Sequence, residues 1–107
     1  MTVILDPRNF QHEVLDSPLP TLVKFEADRC PACRAMERPW QELEATATAV
    51  KLCRVDVDAH PELAETYGVR SIPTFLLFCN GDRVTSQTGA CSLHRLKLMA
   101  GYCDPQT

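Results

Sequence analysis

Thr21-Leu22-Val23-Lys24-Phe25-Glu26-Ala27-Asp28-Arg29-Cys30-Pro31-Ala32-Cys33-Arg34-Ala35-Met36 is the stretch that decides how this chain is built. A β-prone run, Thr21 to Ala27, delivers two cysteines onto the first turn of a helix. Pro31 suits that turn, because its missing N–H would find no intrahelical partner there. A thiol so placed faces unsatisfied backbone N–H groups and the positive end of the helix dipole, and both favour thiolate over thiol. Two cysteines separated by two residues on such a turn can also close a disulfide. The chemistry indicated is reversible thiol–disulfide exchange.

The surrounding composition is that of a globular domain. With 107 residues, 45% of them hydrophobic and 23% charged, the chain reads as one domain over 1–107 that buries a core without staples. A net charge of −3 carries no basic signal for nucleic acid or an anionic membrane. No apolar run approaches the roughly 20 residues that span a bilayer. Met1 to Pro7 is neither a basic n-region nor a long apolar one, so a cytoplasmic setting is the expectation. Of the six cysteines only Cys30 and Cys33 have metal-ligand spacing, which argues against zinc and against a disulfide-stapled scaffold. Cys53 reads as a small buried hydrophobe. Cys79 falls at a hairpin end, Cys91 follows Gly89, and Cys103 reads as an exposed thiol able to form intermolecular disulfides. His12, His60 and His94 are scattered and read as surface residues.

In chain order, Val3-Ile4-Leu5 is a short strand. Asp6-Pro7 starts a helix with Asp6 as N-cap, and Pro18 and Pro20 close it. After the strand Thr21–Ala27, a long helix is expected from about Pro31 to Ala49, with Ala35, Met36, Trp40, Leu43 and Ala47 on one side and a bend at Pro39. Leu52 to Val57 is a second strong strand, and Pro61 to Tyr67 a short helix stopped by Gly68. Thr74–Cys79 and Arg83–Thr88 form a hairpin about Asn80-Gly81, and Ser92 caps a last helix that ends near Gly101. The order β-α-β-α-β-α-β-β-α implies an α/β sandwich: a five-stranded mixed β-sheet flanked by four α-helices.

Cys30-Pro31-Ala32-Cys33 after a strand, Val55-Asp56-Val57-Asp58 downstream and Ser71-Ile72-Pro73-Thr74 before a hairpin together resemble the thioredoxin family. Tyr67 to Phe75 and Phe78-Cys79-Asn80-Gly81 carry the same pattern, and the likeness runs from about Val3 to Ala100. The resemblance implies the thioredoxin fold and no bound cofactor. Cys30 would be the nucleophile and Cys33 the resolving thiol of a redox-active disulfide. Pro73 would be a cis-proline opposite the pair. Arg29, Pro31, Ala32, Ile72, Pro73 and Thr74 would receive an extended target segment as an added strand. The implied partners are disulfide-containing target proteins and a thioredoxin-reductase-type electron donor, and the chain is expected to be a monomer.

Several positions depart from the family. Its usual centre is Trp-Cys-Gly-Pro-Cys, whereas here Arg29 precedes Cys30 and Pro31 follows it. A cation beside Cys30 favours its thiolate, stabilises the dithiol form, and predicts a less reducing couple than a standard thioredoxin has. Against that, an exposed Arg29 is screened by water and shifts little. Lys24 stands where the family carries a buried aspartate that shuttles protons for the second cysteine, and Glu26 where it carries a tryptophan. Lys24 could act as a partly neutral base. Alternatively Glu26, on the same face of the strand, takes the carboxylate role with Lys24 and Arg54 as its cationic company. The bland reading is a surface charge cluster with no part in catalysis.

Three functions compete on these grounds. The leading one is a protein-disulfide reductase. The second is a disulfide oxidase or isomerase, separable by redox potential. The third is a binding module whose cysteines are incidental. The chain lacks the Gly-Gly glutathione signature after the proline strand, which argues against a glutaredoxin.

Overall fold

The computed structural model describes residues 1–103. Its five strands are β1 (Thr2–Ile4), β2 (Thr21–Glu26), β3 (Lys51–Asp56), β4 (Thr74–Cys79) and β5 (Asp82–Thr88). They form one sheet in the order β1-β3-β2-β4-β5. β3 pairs in parallel with β1 and β2, while β4 runs antiparallel to both β2 and β5. The helices are a π-helical segment Gln11–Leu15, α1 (Pro31–Ala35) continued by α2 (Glu37–Thr46), α3 (Pro61–Thr66) and α4 (Leu93–Ala100). Counting α1 and α2 as one bent helix, this is the five-stranded, four-helix α/β architecture expected.

Side chains alternate across the sheet and split the core into two layers. Val23, Phe25, Cys53, Val55, Leu76 and Phe78 pack with Phe10, Val14 and Leu63 on one face. Leu22, Leu52, Phe75 and Leu77 pack with Met36, Trp40, Leu43, Leu96 and Met99 on the other. Lys24 belongs to the second face and is as buried as its apolar neighbours. That excludes the surface-cluster reading for Lys24.

Local chemistry accounts for most boundaries. Asp6 Oδ1 accepts from the Arg8 and Asn9 amides at 2.7 and 3.0 Å, the N-cap pattern expected of Asp6-Pro7. The segment then runs in π form, with the Asp16 amide donating to the Gln11 carbonyl at 2.9 Å. Asn80 and Gly81 hold φ of 53° and 84°, the positive pair that a two-residue hairpin turn needs. Ser92 Oγ caps α4 by accepting from the Arg95 amide at 3.1 Å.

Three expectations need correction. The long helix breaks at Met36 and ends at Thr46 rather than Ala49. Pro39 offers no N–H to the Ala35 carbonyl and its ring crowds that group, so the ladder fails one turn before the proline. It resumes with the Trp40 amide on the Met36 carbonyl at 3.0 Å. Ala35 is exposed rather than part of the buried stripe. Cys103 is not a free thiol, because it forms a disulfide with Cys79.

Candidate active site

β2 ends at Glu26, and the chain turns through Ala27-Asp28-Arg29 so that Cys30 becomes the N-cap of α1. The Cys30 amide donates to the Ala27 carbonyl at 3.2 Å, and the Arg34 amide to the Cys30 carbonyl at 3.1 Å. Within that first turn the Cys33 amide donates to Cys30 Sγ at 3.1 Å. A thiolate there occupies the place of an ordinary capping oxygen, where an orphan helix donor needs an acceptor. Cys30 and Cys33 are both free thiols.

The two thiols are strongly unequal. Burial pushes the Cys30 thiol up, but hydrogen bonds from the Cys33 thiol, the Cys33 amide and the Ala32 amide, with Arg29 last, bring it below the ordinary thiol value. Cys33 is pushed up to about 11, first by burial and then by its hydrogen bond to Cys30, with the Glu26 carboxylate adding to the effect and the Ala27 backbone opposing it. The outer thiol therefore ionises easily and the inner one holds its proton. Such asymmetry suits one thiol to attack and the other to resolve.

Ile72 and Pro73 face this pair. The Ile72–Pro73 bond is cis, and Cys30 Sγ lies 3.6 Å from the Ile72 carbonyl oxygen. Pro73 is buried, with its carbonyl taken by the Gly89 amide at 2.8 Å. Thr74 turns inward: its hydroxyl donates to the Ser71 carbonyl at 2.6 Å, and its backbone is paired on both sides, to Phe25 and to Thr88. Ile72 is thus brought to the cysteines and Thr74 is not. Pro31 and Ala32 are exposed beside Cys30.

Two cavities flank the pair. One, of about 530 Å³, runs between Arg29 and Asp58 on one side and Val69, Arg70 and Ile72 on the other. In its wall Arg29 Nε lies 3.0 Å from Asp58 Oδ2 and its NH2 group 3.1 Å from Oδ1. Arg29 therefore stands next to Cys30 as expected, but paired with Asp58, and its downward pull on the thiol is the last of those acting on it. The Arg29–Asp58 pairing went unnoticed in the sequence, where Asp58 figures only in the Val55-Asp56-Val57-Asp58 motif.

The second cavity, of about 220 Å³, brings Glu26 and Cys33 onto one lining with Arg34, Glu37 and Arg54. Glu26 Oε2 accepts from Arg54 Nε at 2.6 Å, and Lys24 Nζ lies 2.9 Å from Glu26 Oε1. That second approach lacks hydrogen-bond alignment, so it is an ion pair by charge and distance alone. Lys24 Nζ also sits 4.8 Å from the centre of the Trp40 ring, a cation–π contact in a dry setting. The alternation of β2 and the Lys24–Arg54 register with β3 assemble this trio.

Elsewhere Cys53 is fully buried and its thiol pushed up to about 12, mainly by burial, as its strand position implied. Cys91 is half-buried and its amide donates to Met36 Sδ at 3.3 Å. Among the described residues no helix is long and apolar enough to cross a membrane.

The chain is similar to known proteins over most of its length. A family model described as Thioredoxin matches residues 1–100. The chain is 39% identical over 83 residues to a protein named Thioredoxin from Rickettsia bellii (strain RML369-C), covering 77% of this chain and 79% of that one. It is 40% identical over 82 residues to Thioredoxin 1 of Synechococcus elongatus, covering 76% and 77% respectively. With Thioredoxin M5, chloroplastic, of Oryza sativa subsp. japonica it shares 40% over 89 residues, which is 82% of this chain and 52% of the relative.

Proposed function

The chain belongs to the thioredoxin family, and from that premise we propose that it is a protein-disulfide reductase working through reversible oxidation of Cys30 and Cys33. The observation that carries this reading is the unequal pair, with Cys30 lowered while hydrogen-bonded by the Cys33 amide and Cys33 held up at about 11. The Cys30 thiolate attacks one sulfur of a target disulfide, forming a mixed disulfide and expelling the other target thiol. Cys33 then gives up its proton and attacks Cys30, which releases the reduced target and leaves the Cys30–Cys33 disulfide. An extended target segment lies along Ile72 and Pro73, with Arg29, Pro31 and Ala32 as the opposite lip; Thr74 supports that strand from beneath. A thioredoxin-reductase-type donor returns the two electrons. The protein acts as a cytoplasmic monomer and as one domain, on disulfide-containing target proteins.

Glu26 accepts the Cys33 proton in this scheme. It shares a cavity with Cys33, and Lys24 and Arg54 each hold one of its oxygens, so the carboxylate is oriented beside that thiol. Lys24 serves as its buried counter-ion. Insulin reduction by dithiothreitol tests the whole reading: the protein should accelerate it, and Cys30→Ser should abolish the effect. A Glu26→Gln variant whose rate and pH profile match the unmodified protein's would remove Glu26 from the proton path.

The couple is less reducing than a standard thioredoxin, since Arg29, a cation beside Cys30, adds to the groups that favour its thiolate and so the dithiol form. Equilibration with glutathione buffers tests this. An oxidase or isomerase is the reading that a strongly oxidising value would favour.

A further inference from the structure

Cys79 and Cys103 form a disulfide outside the site described above. It ties the last residue of β4, at the Asn80–Gly81 hairpin, to the segment that follows α4. Both residues are half-buried and pack on the core layer under α2 and α4.

The two cysteine pairs sit at opposite poles of the sheet. In the antiparallel pairing of β2 with β4, Thr21 stands opposite Phe78 and Phe25 opposite Thr74. Cys79 therefore lies beyond the start of β2, whereas Cys30 follows its end. A strand of this length at about 3.3 Å per residue spans roughly 20 Å, far beyond the reach of one sulfur for another in the same molecule. Any exchange between the two pairs takes place between two copies.

We propose that the Cys79–Cys103 disulfide is a substrate of the reduced Cys30/Cys33 pair of a second copy of this chain. It holds only if that pair reduces protein disulfides as proposed above. Cys103 is the sulfur attacked. Residues 101–103 lie outside regular structure, with Tyr102 largely exposed, and such a segment can extend along Ile72 of another copy. Cys79 is less available, because its backbone is paired to Asp82 beside a tight turn.

The exchange balances without another reactant. The Cys30 thiolate of one copy bonds to Cys103 Sγ of the other; the Cys79–Cys103 bond breaks, and Cys79 leaves as a thiolate that takes up a proton. Cys33 loses its proton and bonds to Cys30, and Cys103 leaves in turn as a thiolate that is protonated. Two electrons pass from the dithiol of one copy to the disulfide of the next. The reduced protein thus unties the segment that follows α4, and the state of that tie follows the supply of electrons.

A Cys30→Ser/Cys33→Ser chain with its Cys79–Cys103 disulfide intact serves as substrate. It is mixed with an equal amount of reduced, desalted unmodified protein, and thiols are mapped by alkylation and mass spectrometry, with insulin as a parallel substrate. The expected result is loss of the Cys79–Cys103 disulfide as Cys30–Cys33 forms. A reduced Cys33→Ser chain in place of the unmodified one should collect a covalent dimer joined through Cys30 and Cys103. Insulin reduced while Cys79–Cys103 stays closed would overturn the proposal and leave the reductase reading intact, as would a dimer joined only through Cys53 or Cys91. Failure on both substrates would remove the reductase reading and this one with it.

Discussion

Lys24 Nζ stands 2.9 Å from Glu26 Oε1 with its own side chain fully enclosed, while Glu26 keeps a second cation, Arg54, at 2.6 Å and some access to solvent. The dependence is one-sided. Glu26 can lose Lys24 and remain paired, but Lys24 without Glu26 is a buried charge with only the Trp40 ring beside it. Stranding a buried charge costs about 3–5 kcal/mol, whereas exchanging it for an apolar chain of similar volume is often close to neutral. Glu26→Gln should therefore destabilise the protein by about that amount and Lys24→Met by clearly less, as read from urea unfolding midpoints. Equal losses would mean that the Trp40 face, not the carboxylate, keeps Lys24 in the core.

The thiols set a pH dependence of two signs. Cys30, lowered in the folded dithiol form, contributes stability that is full above the ordinary thiol pKa of about 8.5 and is lost as pH falls through its lowered value. Cys33 and Cys53 are raised, to about 11 and about 12. Their contribution is full below the unfolded value and drains away as pH rises towards the folded ones. Above pH ~8.5 Cys30 is ionised folded and unfolded alike and adds no slope, so the raised thiols alone act and the stability of the dithiol form should fall with pH. Cys53→Ala should start lower and fall less steeply. Urea titrations at a series of pH values measure the slopes, and an unchanged slope in the variant would show that Cys53 ionises as freely folded as unfolded.

The parts of this molecule that were legible in the sequence are those set by neighbours in the chain. Asp6 and Ser92 cap backbone amides two or three residues away, Asn80 and Gly81 take positive φ, and each does what its residue type dictates. Strand alternation likewise placed Lys24 and Glu26 on one face. Chain neighbours leave Lys24 open between a buried group and a surface cluster, because its burial depends on Trp40 arriving from α2. The break at Met36 was misplaced, since the carbonyl that Pro39 crowds lies four residues before it. Arg29 with Asp58 and Cys79 with Cys103 are long-range pairings, separated by 29 and 24 residues, and only the closed fold brings them together. Ala35 is small enough to suit either side of a helix, so its place in an apolar stripe decided nothing.

Asp58 restrains the charge next to the active thiol. Its fork with Arg29 is exposed on both sides, 67% and 50%, so the pair itself adds little to stability. Removing the carboxylate leaves the guanidinium free to turn towards Cys30, on which it already exerts a small downward pull. Asp58→Asn should lower the Cys30 pKa further and raise the rate of alkylation by iodoacetamide between pH 6 and 7 by a few-fold. Arg29→Ala should move the pKa slightly the other way. Thiolate absorbance followed through a pH titration reports both, and identical curves for Asp58→Asn and the unmodified protein would show that Asp58 has no hold on this charge.

The Cys79–Cys103 bond bridges 24 residues and encloses β5 and α4 in its loop. Closing a loop of that size restricts the unfolded chain by about 3 kcal/mol on the chain-entropy account. The folded side changes less, because Leu96 and Met99 keep α4 on the sheet whether or not the tie exists. Cys79→Ser/Cys103→Ser should therefore lower the unfolding free energy of the oxidised protein by about 3 kcal/mol while preserving insulin reduction by the distant Cys30. Dithiothreitol should take the unmodified protein most of the way to the same midpoint and leave the double variant's midpoint much less changed. If activity falls together with stability, the tie also supports the active site across the sheet. If neither changes, the bond is not closed in the folded protein.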